Sequence, residues 1–503
     1  MGGVRISSMK LVLRDISPYI LCCISSVITS LGIPFPFLWL LTPVGLGLFI
    51  YILWSRTHSF KQAATLGFLF GASTGGAGIG WFWSALPLTW LAGDAVSTQI
   101  LAVGVAWLVV VFAFGVGTSL VTPLIWYTRN NIFAPLLVPG IWMTAEIARM
   151  WGFSLINYGP ESLVGAHFSG AALGYALAES PFLLQFAQFG GIHALDFLVG
   201  ALATLIAILI GVCTKKAIPA PYTIPFLCLG ILVPLMFLQT PRRDAGAPVT
   251  VHLISTYIPI DSRDAKNDTL LASLLRSTSS TSTMATIVVL PEQSTSNTLL
   301  PSTAGARDAL KKLFPNNDTL IISASHVPTG TGNLYSELSY ISSDQGELAV
   351  YDKLFLMPIG EYIPSLSAAE FSLLSNRRIQ NYMDSTRSAL KRGSDVTAVT
   401  WRGLTIGGLV CSDNQSPILY RTIENRFHAG VLVNVSNTSW FHTSRFLFTK
   451  NVQLAKVHAV QNNAYYLSAN NMAPAFAVSP RGAVIAQSTW NEIGVLNIEI
   501  YPE

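Results

Sequence analysis

The sequence predicts two unlike halves, a polytopic α-helical membrane domain followed by an α/β domain. Three observations carry this. Only 11% of the 503 residues are charged, against about 25% in an ordinary soluble domain. Mean hydropathy is +0.49. The apolar excess is also uneven: it fills long runs in residues 1–240, whereas residues 241–503 have soluble composition, with short β-rich runs alternating with helical stretches. A net charge of +4 is too small to argue for nucleic acid as a partner.

A helix that crosses a bilayer needs about 20 mostly apolar residues. Seven stretches are candidates: 17–33, 36–54, 62–84, 98–126, 132–149, 181–212 and 221–240. No small-residue cleavage site follows the first, so it is expected to be a retained helix. Arg5, Lys10 and Arg14 precede it; Arg56 and Lys61 separate the second and third, Arg129 the fourth and fifth, Lys215 and Lys216 the sixth and seventh. The alternate loops, around Asp94 and over 151–179, hold almost no basic residues, Arg149 at a helix end excepted. This positive-inside pattern puts the N-terminus in the cytoplasm and, after seven crossings, the second half outside it.

PRRDAGAP (241–248) reads as a charged linker. Beyond it, VTVHLISTY (249–257), TIVVLPE (286–292), DTLIISASH (318–326), LYSELSYIS (334–342), LTIGGLVCS (404–412) and AGVLVNVSN (429–437) read as strands. Residues 265–276, 306–313, 418–426 and 445–462 read as helices. The alternation predicts one α/β domain over 249–503, its sheets covered by helices. No internal repeat is present.

Cys411 is the only cysteine of the second half; Cys22, Cys23, Cys213 and Cys228 lie in or beside apolar segments. With no partner in its own domain, it is either a core thiol or a nucleophile. Glu292 follows the strand pattern TIVVLP, Lys353 and Glu361 flank KLFLMPIGE, and Cys411 ends LTIGGLV. Ends of strands are where catalytic groups of α/β folds commonly converge. A free thiol has a pKa of about 8.5 and is mostly protonated at neutral pH. A carboxylate could take its proton during attack, and an ammonium could stabilise the thiolate and the oxyanion that follows. A Cys–Glu–Lys set therefore suits acyl transfer through a thioester. Taken singly, each residue has a plainer reading: a small core thiol, a loop carboxylate, a solvated lysine, and core aromatics at Trp440 and Phe441. His442 and His458 are not at metal-ligand spacing, and no phosphate-binding Gly-rich loop is present. No cofactor and no metal are expected.

Taken in order, these segments resemble the nitrilase (carbon–nitrogen hydrolase) superfamily; behind a multi-span domain, they look like the apolipoprotein N-acyltransferase family. The matches are LPEQS, DKLFLMPIGEYIP, LVCSDNQSP and LVNVSNTSWF in the second half, with WMTAEIARMWGF and SPFLLQFAQFGGIHALDFLV in the first. The resemblance implies an α-β-β-α sandwich with Glu292 as general base, Lys353 as the catalytic lysine and Cys411 as nucleophile. Glu361, Ser412, Asp413 and Trp440 would support them, and Tyr362 and Phe441 would touch substrate. The implied reaction moves a fatty acyl chain from a membrane phospholipid, through a Cys411 thioester, to the α-amine of a diacylglyceryl-cysteine. The partners would be a phospholipid donor, an apolipoprotein acceptor and a lipid bilayer, at the bacterial inner membrane, with the catalytic domain periplasmic.

The sequence departs from that pattern in places. Leu290 stands where a Trp is usual, and Ser412 and Asp413 where an aromatic and a Glu usually follow the nucleophile. Asn437, Thr438 and Ser439 replace the usual Asn-Asp, and KVHAVQNN and LSANNMA replace an arginine-rich helix and an Arg-Ala-Thr-Asn-type segment. The loop around 156–173 is extended, and the sequence stops at Glu503 where the family continues into an eighth span. The triad is intact, so a divergent but active enzyme is expected. A membrane-anchored amidase of the same fold and a weakened binding or scaffold protein are the alternatives.

Overall fold

The computed structural model describes residues 17–89, 95–214, 248–259, 265–279, 286–294, 306–314, 318–330, 332–372, 377–386 and 390–501. The stretch expected to span at 221–240 and all but the last residue of the 241–248 linker lie outside the described residues. The chain divides into two compact units. One takes 1–80, 105–156 and 169–239; the other takes 81–104, 157–168 and 240–503. Two segments of the apolar half thus group with the second unit.

The apolar half contains helices α1 (Pro18–Leu31), α2 (Leu41–Ser55), α3 (Phe60–Gly78), α4 (Val96–Tyr127), α5 (Ala134–Ile156) and α6 (Ile192–Thr214). Ser17 caps α1 by accepting from the Tyr19 N–H, with Pro18 at the first helical position. Ser59 caps α3 through the Gln62 N–H. The stretch expected as a span over 181–212 is broken: short turns cover Pro181–Leu184 and Ala187–Gly190, and Gly191 adopts φ +60 before α6 begins. Gly supplies that left-handed step without a Cβ penalty. Two helices among the described residues, over Val96–Asn130 and Ile192–Thr214, are long and apolar enough to cross a membrane; α1 and α2 are shorter apolar helices.

Small residues let these helices approach closely. Gly67, Gly71 and Gly75 on α3 lie against Thr122, Thr118 and Phe114 of α4, where added Cβ atoms would collide. A buried charged trio pins the chain after α5. The Arg149 guanidinium reaches both oxygens of Glu146, at 2.9 and 2.8 Å, and donates to the Ala171 carbonyl at 3.4 Å. Asp196 accepts from the Gly174 N–H at 2.9 Å.

The second unit is built on β1 (Val249–Thr256), β2 (Thr286–Val289), β3 (Thr319–Pro328), β4 (Leu334–Ser342), β5 (Gly346–Asp352), β6 (Ala398–Trp401), β7 (Leu404–Val410), β8 (Val431–Asn437), β9 (Tyr465–Asn471), β10 (Phe476–Val478), β11 (Val484–Gln487) and β12 (Gly494–Ile500). Its helices are α7 (Ala265–Ser279), α8 (Ala306–Leu313), α9 (Ser365–Ser372), α10 (Arg377–Thr386), α11 (Leu419–Phe427) and α12 (Arg445–Asn462). The six strands and four helices expected from sequence all occur, with small shifts at their ends.

The strands run β5-β4-β3-β2-β1-β9-β8-β7-β6. The central pairs β3–β2–β1 and β9–β8–β7 are parallel, while β5–β4–β3 and β7–β6 close antiparallel edges. The two halves join by parallel pairing of Ser255 with Asn470 and Thr256 with Asn471. The sheet then folds on itself. Gly408 of β7 lies against Leu338 and Tyr340 of β4, so closely that an added Cβ would overlap both. Leu271, Leu275, Leu310 and Phe314, from α7, α8 and the residue that follows, bury Ile254, Val288, Ile321 and Ile341 from one outer face. Ile423 of α11 packs on Gly407 from the other. The layering is the α-β-β-α sandwich expected from the resemblance, and it brings Glu292, just beyond β2, within hydrogen-bond reach of the end of β8 at Asn437, with β7 next to β8.

Candidate active site

Cys411 begins where the buried strand β7 stops. It takes φ +48, a left-handed conformation uncommon for a side chain with a Cβ, and opens the tight turn Cys411–Gln415. Asp413, wholly buried, holds this turn. One carboxylate oxygen accepts from the Val410 N–H at 3.0 Å and the Tyr351 hydroxyl at 2.8 Å; the other accepts from the Phe355 N–H at 2.7 Å. Ser412 donates its hydroxyl to the Phe355 carbonyl at 2.6 Å. Phe355 is therefore tied on both sides of its backbone to the two residues after the thiol. Burial raises the Asp413 carboxyl to about 6, against the Lys353 charge and three donors that favour its anion.

Lys353 follows β5 and is almost fully buried. Its backbone N–H donates to the Ser336 carbonyl, and its carbonyl accepts from Gly393, each at 2.9 Å. The ammonium contacts Glu361 at 2.7 Å and Glu292 at 4.0 Å. Burial opposes its charge, but Glu361, Glu292, Cys411 and Asp413 outweigh that, and the net shift is upward. Glu361 is set by its own turn: its second oxygen accepts from the Met357 N–H at 2.6 Å, and its N–H donates to the Met357 carbonyl at 2.9 Å.

Glu292 sits just beyond β2, anchored by Leu290 and Gln293 N–H bonds to the Ile322 and Ala324 carbonyls. One oxygen accepts from Ser336 at 3.3 Å and the other from the Asn437 N–H, at the end of β8, at 3.1 Å. The Cys411 thiol and this carboxylate act on each other: the Glu292 charge raises the thiol, and the thiol lowers the carboxyl. Burial raises the Glu292 carboxyl above its usual range, and Glu361 adds to the rise; Lys353, the thiol and the Asn437 N–H oppose it. The thiol moves the same way. Burial pushes it up to about 12, the Glu292 charge assisting and the Lys353 charge opposing.

The three residues singled out by sequence thus meet in one cluster, Glu292 and Lys353 buried and Cys411 half-buried, with Glu361 beside the lysine. A thiol held this far above neutrality is protonated at rest, and Glu292 is the carboxylate whose charge acts most strongly on it. The other expected residues are placed differently. Asp413 and Ser412 do not aim at the thiol; they fix the backbone around it. Tyr362 is buried and donates its hydroxyl to the Asn157 carbonyl at 2.7 Å. Trp440 is exposed on a short turn, and Phe441 meets Trp81 edge-on at 4.8 Å. Among the described residues no cluster of His, Cys, Asp or Glu is arranged to hold a metal ion.

Sequence reasoning does not find Ser336, Tyr351 or the Asn437 N–H as partners of the site, because backbone and hydroxyl donors leave no motif. One trace exists: Asn437 lies in the LVNVSNTSWF match. Its side-chain oxygen accepts from Asn471 at 2.9 Å and from the Ser439 N–H at 3.1 Å, which steadies the strand end facing Glu292.

Two family models match the chain. Residues 261–503 match the carbon-nitrogen hydrolase model, and residues 25–205 match the apolipoprotein N-acyltransferase N-terminal domain. An apolipoprotein N-acyltransferase of Chromobacterium violaceum is 25% identical over 70% of this chain and 63% of its own length. One from Rhodopseudomonas palustris is 25% identical over 65% of this chain and 62% of its own. One from Rickettsia typhi is 22% identical over 88% and 84%. The chain therefore spans less than two thirds of the first two relatives. From the N-terminal domain match, the hydrolase match and these relatives, the chain belongs to the apolipoprotein N-acyltransferase family.

Proposed function

We propose that this protein N-acylates lipoproteins by a two-step transfer at Cys411. The Cys411 sulfur attacks the ester carbonyl of a phospholipid acyl chain while Glu292 takes the thiol proton. Lys353, held charged by Glu361, stabilises the tetrahedral oxyanion. The C–O bond breaks, Glu292 returns the proton to the leaving oxygen of the lysophospholipid, and a thioester remains. The α-amine of a diacylglyceryl-cysteine then attacks it. Glu292 accepts a proton from the amine, the C–S bond breaks, and the proton returns to the thiol, which leaves an amide. No cofactor enters any step.

The observation that carries this reading is the convergence of Glu292, Lys353 and Cys411: the buried ammonium lies 4.0 Å from Glu292 and 2.7 Å from Glu361, and burial and the Glu292 charge raise the thiol to about 12. Lipid-borne substrates also give the helical half a purpose, and its surface suits that role. Leu101, Leu108, Phe112, Val116, Leu120 and Leu124 form an exposed stripe at helical spacing on α4, the pattern of a lipid-facing helix. With the positive-inside distribution, this supports a multi-pass inner-membrane protein with a cytoplasmic N-terminus and the domain after residue 248 in the periplasm.

The test uses the full-length protein in phosphatidylethanolamine bilayers with a diacylated lipopeptide acceptor. The wild-type chain should gain an acyl-sized mass on the Cys411 peptide, lose it when acceptor is added, and release triacylated peptide. Cys411→Ala should do none of these. N-acylation that survives the substitution overturns the mechanism, and transfer of the acyl group to water rather than to the amine would make the protein an amidase.

A further inference from the structure

We propose that residues 157–168 form a strap that holds the lysine segment and the nucleophile turn in register, and that His167 is a positioning residue for Cys411. The proposal rests on the reading of Cys411 as the nucleophile. The strap groups with the second unit although it lies between two segments of the first.

Its contacts run in order along the site's periphery. The Asn157 carbonyl accepts from the Tyr362 hydroxyl at 2.7 Å, and the Tyr158 carbonyl accepts from the Ser365 N–H at 2.9 Å. At Gly159 an added Cβ would press on the Ile363 carbonyl at 3.2 Å and the Tyr362 ring at 3.3 Å, so the backbone runs flush against the Glu361 turn. Glu161 accepts from the Lys391 ammonium at 2.8 Å and from the Arg392 N–H at 3.0 Å. The next residue, Gly393, donates to the carbonyl of Lys353 itself.

The strap ends on the turn that carries the thiol. His167 Nδ1 and the Ser416 hydroxyl are 2.8 Å apart, and both residues are buried. The Ser416 oxygen already accepts from the Ile418 N–H at 3.3 Å. In the tautomer we assign, with the ring hydrogen on Nε2, the Ser416 hydroxyl donates to Nδ1. The imidazole is suited to this, since burial, with a smaller contribution from the Arg392 charge, lowers it to about 4 and keeps it neutral. The Ser416 N–H closes the turn on the Asp413 carbonyl at 2.9 Å. The His167 ring also lies 6.2 Å from the ring of Phe355, the residue that Ser412 and Asp413 bind through its backbone. One side chain thus touches both the segment behind the lysine and the turn behind the cysteine.

The experiment compares His167→Phe, which keeps a ring on Phe355 but removes the acceptor, with His167→Asn, whose side-chain oxygen can replace Nδ1. Two acyl donors are used, phosphatidylethanolamine vesicles and soluble p-nitrophenyl butyrate, and the rate of acylation of the Cys411 peptide is read by mass. His167→Phe should slow acylation by about tenfold with both donors, the size of one ordinary hydrogen bond, in kcat rather than KM and at an unchanged melting temperature. His167→Asn should restore most of the rate. Ser416→Ala should match His167→Phe, and the double variant should be no slower than either. Equal rates in wild-type and His167→Phe protein, or additive losses in the double variant, overturn the strap. Acylation by the soluble ester but never by the phospholipid overturns the proposed function and leaves the strap standing. Acylation by neither donor in the wild-type chain removes the nucleophile and both readings with it.

Discussion

The substitution Asp413→Glu would restore the acidic residue usual in the family two places after the nucleophile, and it should impair this protein. Asp413 is wholly buried, and its two oxygens accept three hydrogen bonds of 2.7, 2.8 and 3.0 Å. These contacts leave no slack. One more methylene lengthens the side chain by about 1.5 Å, so either the Val410–Ser412 backbone retreats or the Phe355 N–H and Tyr351 hydroxyl lose their acceptor. Overpacking of this kind costs about 1–3 kcal/mol. A backbone retreat of about 1 Å at Cys411 would slow attack by roughly 10²-fold. Asp413→Asn provides the contrast, since it keeps the size and loses an acceptor: in its better orientation the amide turns its nitrogen toward the Phe355 N–H, for about 1–3 kcal/mol. The assay is single-turnover acylation of the Cys411 peptide, with a thermal melt of each variant in the same detergent. Acylation by Asp413→Glu at or above the wild-type rate would refute this reasoning, because it would show that the turn is not set by a fitted carboxylate.

Three further outcomes follow from the same geometry. Glu292→Gln should slow thioester formation by about 10²–10⁴-fold in the single-turnover assay, the usual contribution of a general base, because Glu292 is the carboxylate that acts most strongly on a thiol raised to about 12. The pH profile of the acylation rate should climb as Glu292 loses its proton, at a pH above the ordinary carboxylate range because burial raises that group; below it Glu292 is protonated and cannot act as base, and the limb should vanish in Glu292→Gln. Gly408→Ala should lower stability by about 1–3 kcal/mol through overpacking, since its methyl group would overlap Leu338 and Tyr340, and an unshifted melt would show that the two layers can separate there.

Much of the second half is legible in its sequence. Period-two and continuous apolar runs mark the strands, and the residues proposed to carry chemistry sit just past their ends, at Glu292, Lys353 and Cys411. What is not legible depends on distant partners. Asp413 reads as a shortened relative of a longer acid, and only the placement of Tyr351 and Phe355 shows that its length is fitted. Residues 81–104 and 157–168 lie in the apolar half and carry no local sign of grouping with the other unit; bonds such as Ser84 to Ser444 or Glu161 to Lys391 have no periodicity to betray them. The stretch expected over 181–212 becomes a continuous helix only from Ile192, for a local reason, the left-handed Gly191, which a run of hydropathy averages over.

The joining of the two halves of the sheet has a consequence for how the chain comes to life. Glu292 lies just past a strand of the first half and Cys411 just past one of the second; the halves pair in the sheet where Ser255 and Thr256 meet Asn470 and Asn471, and pack face to face where Gly408 meets Leu338 and Tyr340. The last of these partners is made late in synthesis, long after the thiol has left the ribosome. Contacts so distant in sequence form slowly, because loop closure precedes their reward. On the proposed mechanism, a partly folded chain therefore keeps Cys411 and Glu292 apart until the two halves of the sheet have paired.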